Sequence, residues 1–250
     1  MKTLKTDVII PAYRPGEEFE KLLERLSAQK YPINKILVMN TEKKFWKETW
    51  EQEYPLVEVQ HLTKEEFDHG GTRRQAAELS DAEILVFMTQ DAMPADRELI
   101  GALVGALAEN PQAGAAYARQ LPKKDCRFLE KYTRSFNYPE QSCLKTEKDV
   151  QTYGIKTYFC SNVCAAYDHR IIFSGSFLYR FPRKYPAYLE TLCKNSPGIS
   201  HMWPVFRRYA MLFFTSRMPS PSEGTPSKTS GCSAWETPRS KFLWNCCIQV

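Results

Sequence analysis

The chain is 250 residues long, 43% hydrophobic and 13% aromatic, which suits one sizeable α/β domain with a packed core and excludes a disordered chain. No run nears the roughly 18 to 20 apolar residues of a membrane span, and residues 1–7 lack a signal peptide's apolar stretch, so a cytosolic protein is expected. The net charge of +5 is uneven: residues 171–250 carry ten Lys or Arg against three Glu, a net +7, which leaves the first 170 residues at −2.

Such a basic stretch with interleaved aromatics can meet nucleic acid or an anionic membrane, though charge of this kind is ordinarily just solvated. The eight cysteines form no CxxC pair, and without an export signal they read as free thiols. Cys160, Cys164 and His169 lack a fourth ligand at zinc spacing.

Residues 7–13, DVIIPAY, form a β-branched run that reads as a buried strand stopped by Pro11, its end opening into a loop at 12–16. Residues 17–30 follow as a helix, with Phe19, Leu22, Leu23 and Leu26 at helical spacing, acids early, Lys30 late and Pro32 beyond. Residues 33–39 and 57–62 are further apolar strands around the aromatic stretch 45–50. Strand and helix alternating at this pace predict βαβ units and a mostly parallel sheet flanked by helices.

Residues 67–77, FDHGGTRRQAA, put two glycines ahead of a helix. Its backbone N–H groups can approach an anion and Arg73 can pair with a phosphate or a carboxylate. The same residues also read as a plain turn capped by Thr72, with His69 a hydrogen-bonding loop residue. Residues 84–88 are apolar throughout, a strand buried on both faces, and they end in Thr89, Gln90 and Asp91. In an open α/β sheet, ligands bind beyond the carboxyl ends of the strands. Asp91 therefore reads either as a ligand of a divalent cation, Mg²⁺ or Mn²⁺, or as a turn residue before Pro94, ahead of a helix from Asp96 to about Glu109.

Residues 115–121 predict a strand with Tyr117, Arg119 and Gln120 outward, and 123–149 a charged, aromatic connection in which Pro139 opposes a regular helix. Residues 154–166 read as another buried run, broken by Ser161 and Asn162, whose polar groups need partners.

DVIIPAY, FDHGGTRRQAA, VFMTQDA, AYARQLP, FNYP and KTYFCSNVCAAY resemble, in order and spacing, the family 2 glycosyltransferases of GT-A fold, in particular their rhamnosyltransferase-like branch. The resemblance spans about residues 5 to 173. It implies a GT-A domain over 1–173 with a nucleotide-binding half to about 112 and an acceptor half after it, and inverting transfer from a nucleotide-diphospho-sugar to a saccharide or lipid-linked acceptor. It also implies Pro11, Ala12 and Tyr13 against base and ribose, Arg73 near the diphosphate, and Asp91 on the metal. Asn40 or Thr41 stands where the family often has an acid, and Gln90 with Asp91 stands where many members have two. Ser161 and Asn162 would face the sugars, with Arg119 and Gln120 on the acceptor side.

Inverting transfer needs a base, and the family's E-D pair after a GGF turn has no counterpart: no aspartate follows Asp168, and residues 174–177 only echo the turn. Eight of the sixteen prolines and eleven serines lie in 171–250, where periodicity fades. The expectation is an irregular tail over 174–250 translated from a shifted frame, or else a disordered basic tail for membrane attachment. Transfer would then be slow or undetectable, or the chain a non-catalytic nucleotide-sugar-binding remnant; robust transfer would instead point to a substitute base among Asp68, His69 and Asp168. A nucleotidyltransferase would want a glycine- and cation-rich loop after the first strand, and 12–16 offers only Arg14 and Gly16.

Overall fold

The structure, a computed structural model, describes residues 3–122 and 125–170 and the backbone of a strand at 246–249. In chain order the elements are β1 (Thr6–Tyr13), α1 (Glu17–Ser27), β2 (Lys35–Thr41), α2 (Thr49–Glu53), β3 (Val57–Leu62), α3 (Gly71–Glu78), β4 (Ile84–Met88) and α4 (Leu99–Glu109). Then come β5 (Ala115–Tyr117), α5 (Phe128–Asn137), β6 (Cys143–Thr146), α6 (Val150–Tyr153), β7 (Cys164–Asp168) and β8 (Cys246–Gln249). The sheet order is β3-β2-β1-β4-β7-β5-β8-β6. β3, β2, β1 and β4 run parallel, β7 is antiparallel to both β4 and β5, and β8 is parallel to β5 and antiparallel to β6.

Alternate residues of the central strands enter two cores, as the pleat requires. Val8, Ile10, Ile36, Val38, Val86 and Met88 pack under Phe19, Leu22, Leu23 and Leu26 of α1, Trp50 of α2 and Leu103 of α4. Ile9, Leu37, Met39, Leu85 and Phe87 face the other way, onto Ala76 and Ala77 of α3. Ring contacts of Phe19 with Trp46 and Trp50 lock the first core. At the amino end, buried Asp7 accepts from Asn34 Nδ2 at 2.6 Å and from Ser80 Oγ at 2.5 Å, which ties β1 to the turns before β2 and after α3. Among the described residues no helix is long and apolar enough to cross a membrane.

Several boundaries differ from the sequence reading. β1 continues through Pro11 to Tyr13: pairing with β4 ends at Ile9, so beyond it β1 is unpaired on that side and can hold a residue without an N–H. The helix expected from Asp96 starts at Leu99, because Arg25 Nη1 donates to the Pro94 carbonyl, Gln29 Nε2 to that of Asp96 and the Lys30 N–H to that of Arg97. β5 is only three residues long, and Tyr117 is fully buried rather than outward. A ten-residue helix, α5, occupies the connection expected to be irregular, and it stops one residue short of Tyr138, which precedes Pro139. Residues 154–166, expected as a buried run, are a 3-10 turn and a loop, half-buried at 159–163, leading into buried β7. Of the expected irregular tail, residues 246–249 form a strand, and the rest, including residues 174–177, lies outside the described residues.

Candidate functional site

Parallel pairing brings the carboxyl ends of β1, β2 and β4 to one edge, with that of β5 beside them. Antiparallel β7 begins at this edge: Cys164 lies opposite Met88, and the Thr89 N–H donates to the Val163 carbonyl at 3.1 Å. Residues 11–13, 40–41, 90–91, 119–120 and 161–162 therefore converge from five strands, with Arg73 arriving on the first turn of α3.

Gln90 bridges two strand ends. Its Oε1 accepts from the Tyr13 N–H at 2.7 Å, and its Nε2 donates to the Tyr13 carbonyl at 3.1 Å. Asp91 follows on a tight turn closed by the Ala92 N–H to the Thr89 carbonyl at 3.0 Å; it is exposed and makes no ion pair among the described residues. Tyr13, 39% exposed, meets Phe45 edge to face at 6.0 Å, and the Arg14 guanidinium lies 5.1 and 4.9 Å from the two ring centres. Arg14 and Glu42, one residue past the ends of β1 and β2, have φ of 50° and 66°. Left-handed backbone at non-glycine residues costs energy and concentrates at functional positions. The Lys44 ammonium, 2.8 Å away, holds the Glu42 carboxyl below its usual range, with Arg14 adding to the pull.

Asn40 and Thr41 are buried: Asn40 Nδ2 reaches the Glu42 carbonyl at 3.3 Å and His61 Nδ1 at 3.1 Å. Asn40 Oδ1, Thr41 Oγ1, Thr89 Oγ1 and Arg73 Nε are buried at this edge without a protein partner among the described residues. Buried polar atoms rarely stay unsatisfied. Arg73 Nη1 donates to the His69 carbonyl at 2.7 Å, and burial lowers the guanidinium's pKa, opposed by the nearby Tyr167. The group stays charged all the same. Among the described residues no carboxylate meets Arg73, and a half-buried cation so placed suits an anion.

A model of glycosyl transferase family 2 matches residues 7–173, two thirds of the chain. The chain belongs to glycosyl transferase family 2. O-antigen chain rhamnosyltransferase RfbN of Salmonella typhimurium is 34% identical over 165 residues, 66% of this chain and 52% of the relative. The corresponding enzyme WbaN of Salmonella anatum is 36% identical over 107 residues, 42% of this chain and 34% of the relative. This chain thus spans about half the length, or less, of these curated relatives. S. aureus TarS 1-349 in complex with UDP superposes with a TM-score of 0.52 at 16% identity, over 69% of this chain and 49% of that one. That likeness shows the GT-A fold.

Beyond β5, Gln120 Nε2 donates to Ser161 Oγ at 3.0 Å, and its Oε1 accepts from Arg134 Nη1 at 2.9 Å. Arg134 is also paired with Glu130 at 2.9 Å. Asn162 Oδ1 accepts from the Tyr167 hydroxyl, while Arg119 Nη1 donates to the Glu140 carbonyl at 3.1 Å. Of the substitute bases, Asp168 lies opposite Ile84 at the amino end of β4 and is bound to Arg170. At about 3.3 Å per residue, the strand alone sets it some 13 Å from the edge, which removes it as a base there. Asp68 and His69 stand at the right edge, but Asp68 Oδ1 accepts from the N–H groups of Gly70 and Gly71 at 3.0 and 2.5 Å, and His69 packs on Phe67. Asp68, not Thr72, thus organises the turn into α3, and Thr72 Oγ1 instead accepts from the Asp68 N–H.

Residue reading missed Arg14, Glu42, Phe45, Arg134 and Tyr167. Glu42 and Phe45 are two and five residues past Asn40, near enough to find once an acid is sought just after β2. Arg134 carried a signal too, as a cation in the helix leading to FNYP.

No three His, Cys, Asp or Glu side chains gather among the described residues. A lone, exposed carboxylate still fits Mg²⁺ or Mn²⁺, which takes its remaining ligands from a diphosphate and water.

Proposed function

We propose that this chain derives from an inverting glycosyltransferase that moves a sugar, rhamnose by the names of its relatives, from a nucleotide-diphospho-sugar to a glycan or lipid-linked acceptor at the inner face of the cell membrane. The single observation that carries this is the convergence of Tyr13, Arg73 and Asp91 at the carboxyl edge of one sheet, in a chain that matches family 2 over residues 7–173. In this reading the domain is 1–173, its nucleotide half ending near residue 112. The base rests on the Tyr13–Phe45 rings with Glu42 beside it, and Arg73 faces the diphosphate. Asp91 would hold the divalent cation, which screens the leaving diphosphate's charge when bound. Arg119, Gln120, Ser161 and Asn162 face the acceptor.

No E-D pair follows residue 173 in the sequence, so donor binding survives while the acceptor hydroxyl has no base, and transfer is slow or undetectable. Thermal-shift measurements with UDP-, dTDP- and GDP-sugars, with and without Mn²⁺, test the donor site, since a ligand of the folded state raises the melting temperature. A Mn²⁺-dependent rise that Asp91→Asn abolishes is the expected result. No rise with any donor overturns the reading. Robust turnover by mass spectrometry overturns only the missing base. Translating the gene's other two frames past codon 173 tests the tail: recovery of a glycine turn and an E-D pair is expected, and its absence sinks the frameshift.

A further inference from the structure

Helix α5 is amphipathic, yet its side chains point the wrong way for a core. None of its residues is buried, and Phe128, Leu129, Tyr132 and Phe136 are 82%, 72%, 57% and 58% exposed. At 3.6 residues per turn these four fall within an arc of about 100°, with Glu130 and Arg134 on the opposite side. That opposite side is bound to the domain through Arg134 and Gln120, while at the helix's end Lys156 Nζ donates to the Phe136 carbonyl at 2.8 Å and lies 3.0 Å from the Phe136 ring centre. The polar face is turned in and the aromatic face out.

Charge decides what covers the aromatic face. Residues 119–134 carry six Lys or Arg against Asp125 and Glu130, and on the helix exposed Lys131 borders the apolar arc, with exposed Arg127 at the N-cap. A second copy meeting this face across a two-fold axis would set like charge on like. The segment 171–250, at +7, would do the same. An anionic surface with an apolar interior complements both the charge and the rings, the pattern of helices that lie in the plane of a bilayer.

We propose that the outward face of α5 docks on an anionic lipid bilayer, with Phe128, Leu129, Tyr132 and Phe136 entering the acyl boundary and Lys131 at the headgroups. The docking stands apart from the sugar-transfer reading. If both hold, the link from α5 through Arg134 and Gln120 to Ser161 sets the acceptor edge beside the membrane.

Co-sedimentation of the full chain tests it, with vesicles of phosphatidylcholine alone and of phosphatidylcholine mixed with phosphatidylglycerol. The full chain is expected to pellet with the mixed vesicles. Phe128→Ser combined with Leu129→Ser is expected to weaken binding about tenfold or more, Lys131→Glu less, both without a change in melting temperature. Three results overturn the proposal. They are no binding to mixed vesicles, undiminished binding by the double variant, which would assign the membrane to the basic tail, and a large fall in the double variant's melting temperature or a loss of dimer on gel filtration, which would show the face covered by protein.

Discussion

The backbone of Tyr13 is paired to the side chain of Gln90, through both its N–H and its carbonyl. The β1–β4 ladder stops at Ile9 and Phe87, so one amide does the work of a further pair of ladder bonds and fixes Tyr13 beside Asp91. Gln90→Ala should cost about 1 to 2 kcal/mol in urea denaturation, the sum of two modest hydrogen bonds. It should also weaken donor binding more than that loss explains, read as a reduced ligand-induced shift.

Arg73 separates binding from stability. Its burial is opposed by one carbonyl bond and, among the described residues, no carboxylate. Arg73→Met should leave the ligand-free melting temperature unchanged or raise it, because replacing a poorly compensated buried charge by an apolar chain is often neutral or stabilising. The same variant should lose the shift caused by nucleotide-sugars. A large drop in ligand-free stability would mean the guanidinium is structural.

Lys145 is a buried lysine whose partners are neutral. Its Nζ donates to the Tyr117 hydroxyl at 2.5 Å and to the carbonyls of Lys156 and Phe159 at 3.2 and 3.3 Å, with the Tyr117 ring centre 4.9 Å away. These bonds hold the turn that leads to Ser161 and Asn162. Lys145→Met should destabilise by about 2 to 3 kcal/mol, the scale of orphaned buried acceptors, and proteolysis should then open the chain between 154 and 163 first.

Alkaline pH should unfold the protein through Cys164. Burial pushes this thiol from an ordinary 9.0 up to about 12, and burial raises Tyr138 as well. A raised pKa in the folded state means that unfolding releases a proton. The contribution is therefore whole below pH 9 and is lost as pH climbs toward 12, at up to about 1.4 kcal/mol per pH unit for each group. Cys164→Ala should make the stability-pH curve shallower above pH 9. In the folded protein Cys164 should resist iodoacetamide at pH 8, as read by mass spectrometry.

The parallel half of the fold was legible because its signals are local. Five consecutive apolar residues at 84–88 can only be a strand covered on both faces, and the Phe19, Leu22, Leu23 and Leu26 spacing names the buried stripe of α1. That residues 11–13, 40–41 and 90–91 share one sheet edge followed from the parallel βαβ reading of their strands. What escaped depends on contacts distant in sequence. Tyr117 turns inward because Lys145, 28 residues later, meets its hydroxyl. The paired hydrogen bonds of Gln90 to Tyr13 span 77 positions, so the sequence alone could not show that this amide also splices two strands. Helix α5 was missed because Pro139 counted against the whole connection, although a proline there ends a helix rather than forbidding one.

Arg14 and Glu42 hold left-handed backbone, each at a cost of order 1 kcal/mol that the surrounding fold sustains. Protein contacts hold the rim between β1 and β2 in this shape: the Glu42 N–H donates to the Leu62 carbonyl at 2.7 Å, and the Glu42 carbonyl accepts from the Phe45 N–H at 3.1 Å. Calorimetry of donor binding should accordingly show a heat-capacity change sized to the ligand's own contact area, without the larger signature of a loop condensing around it.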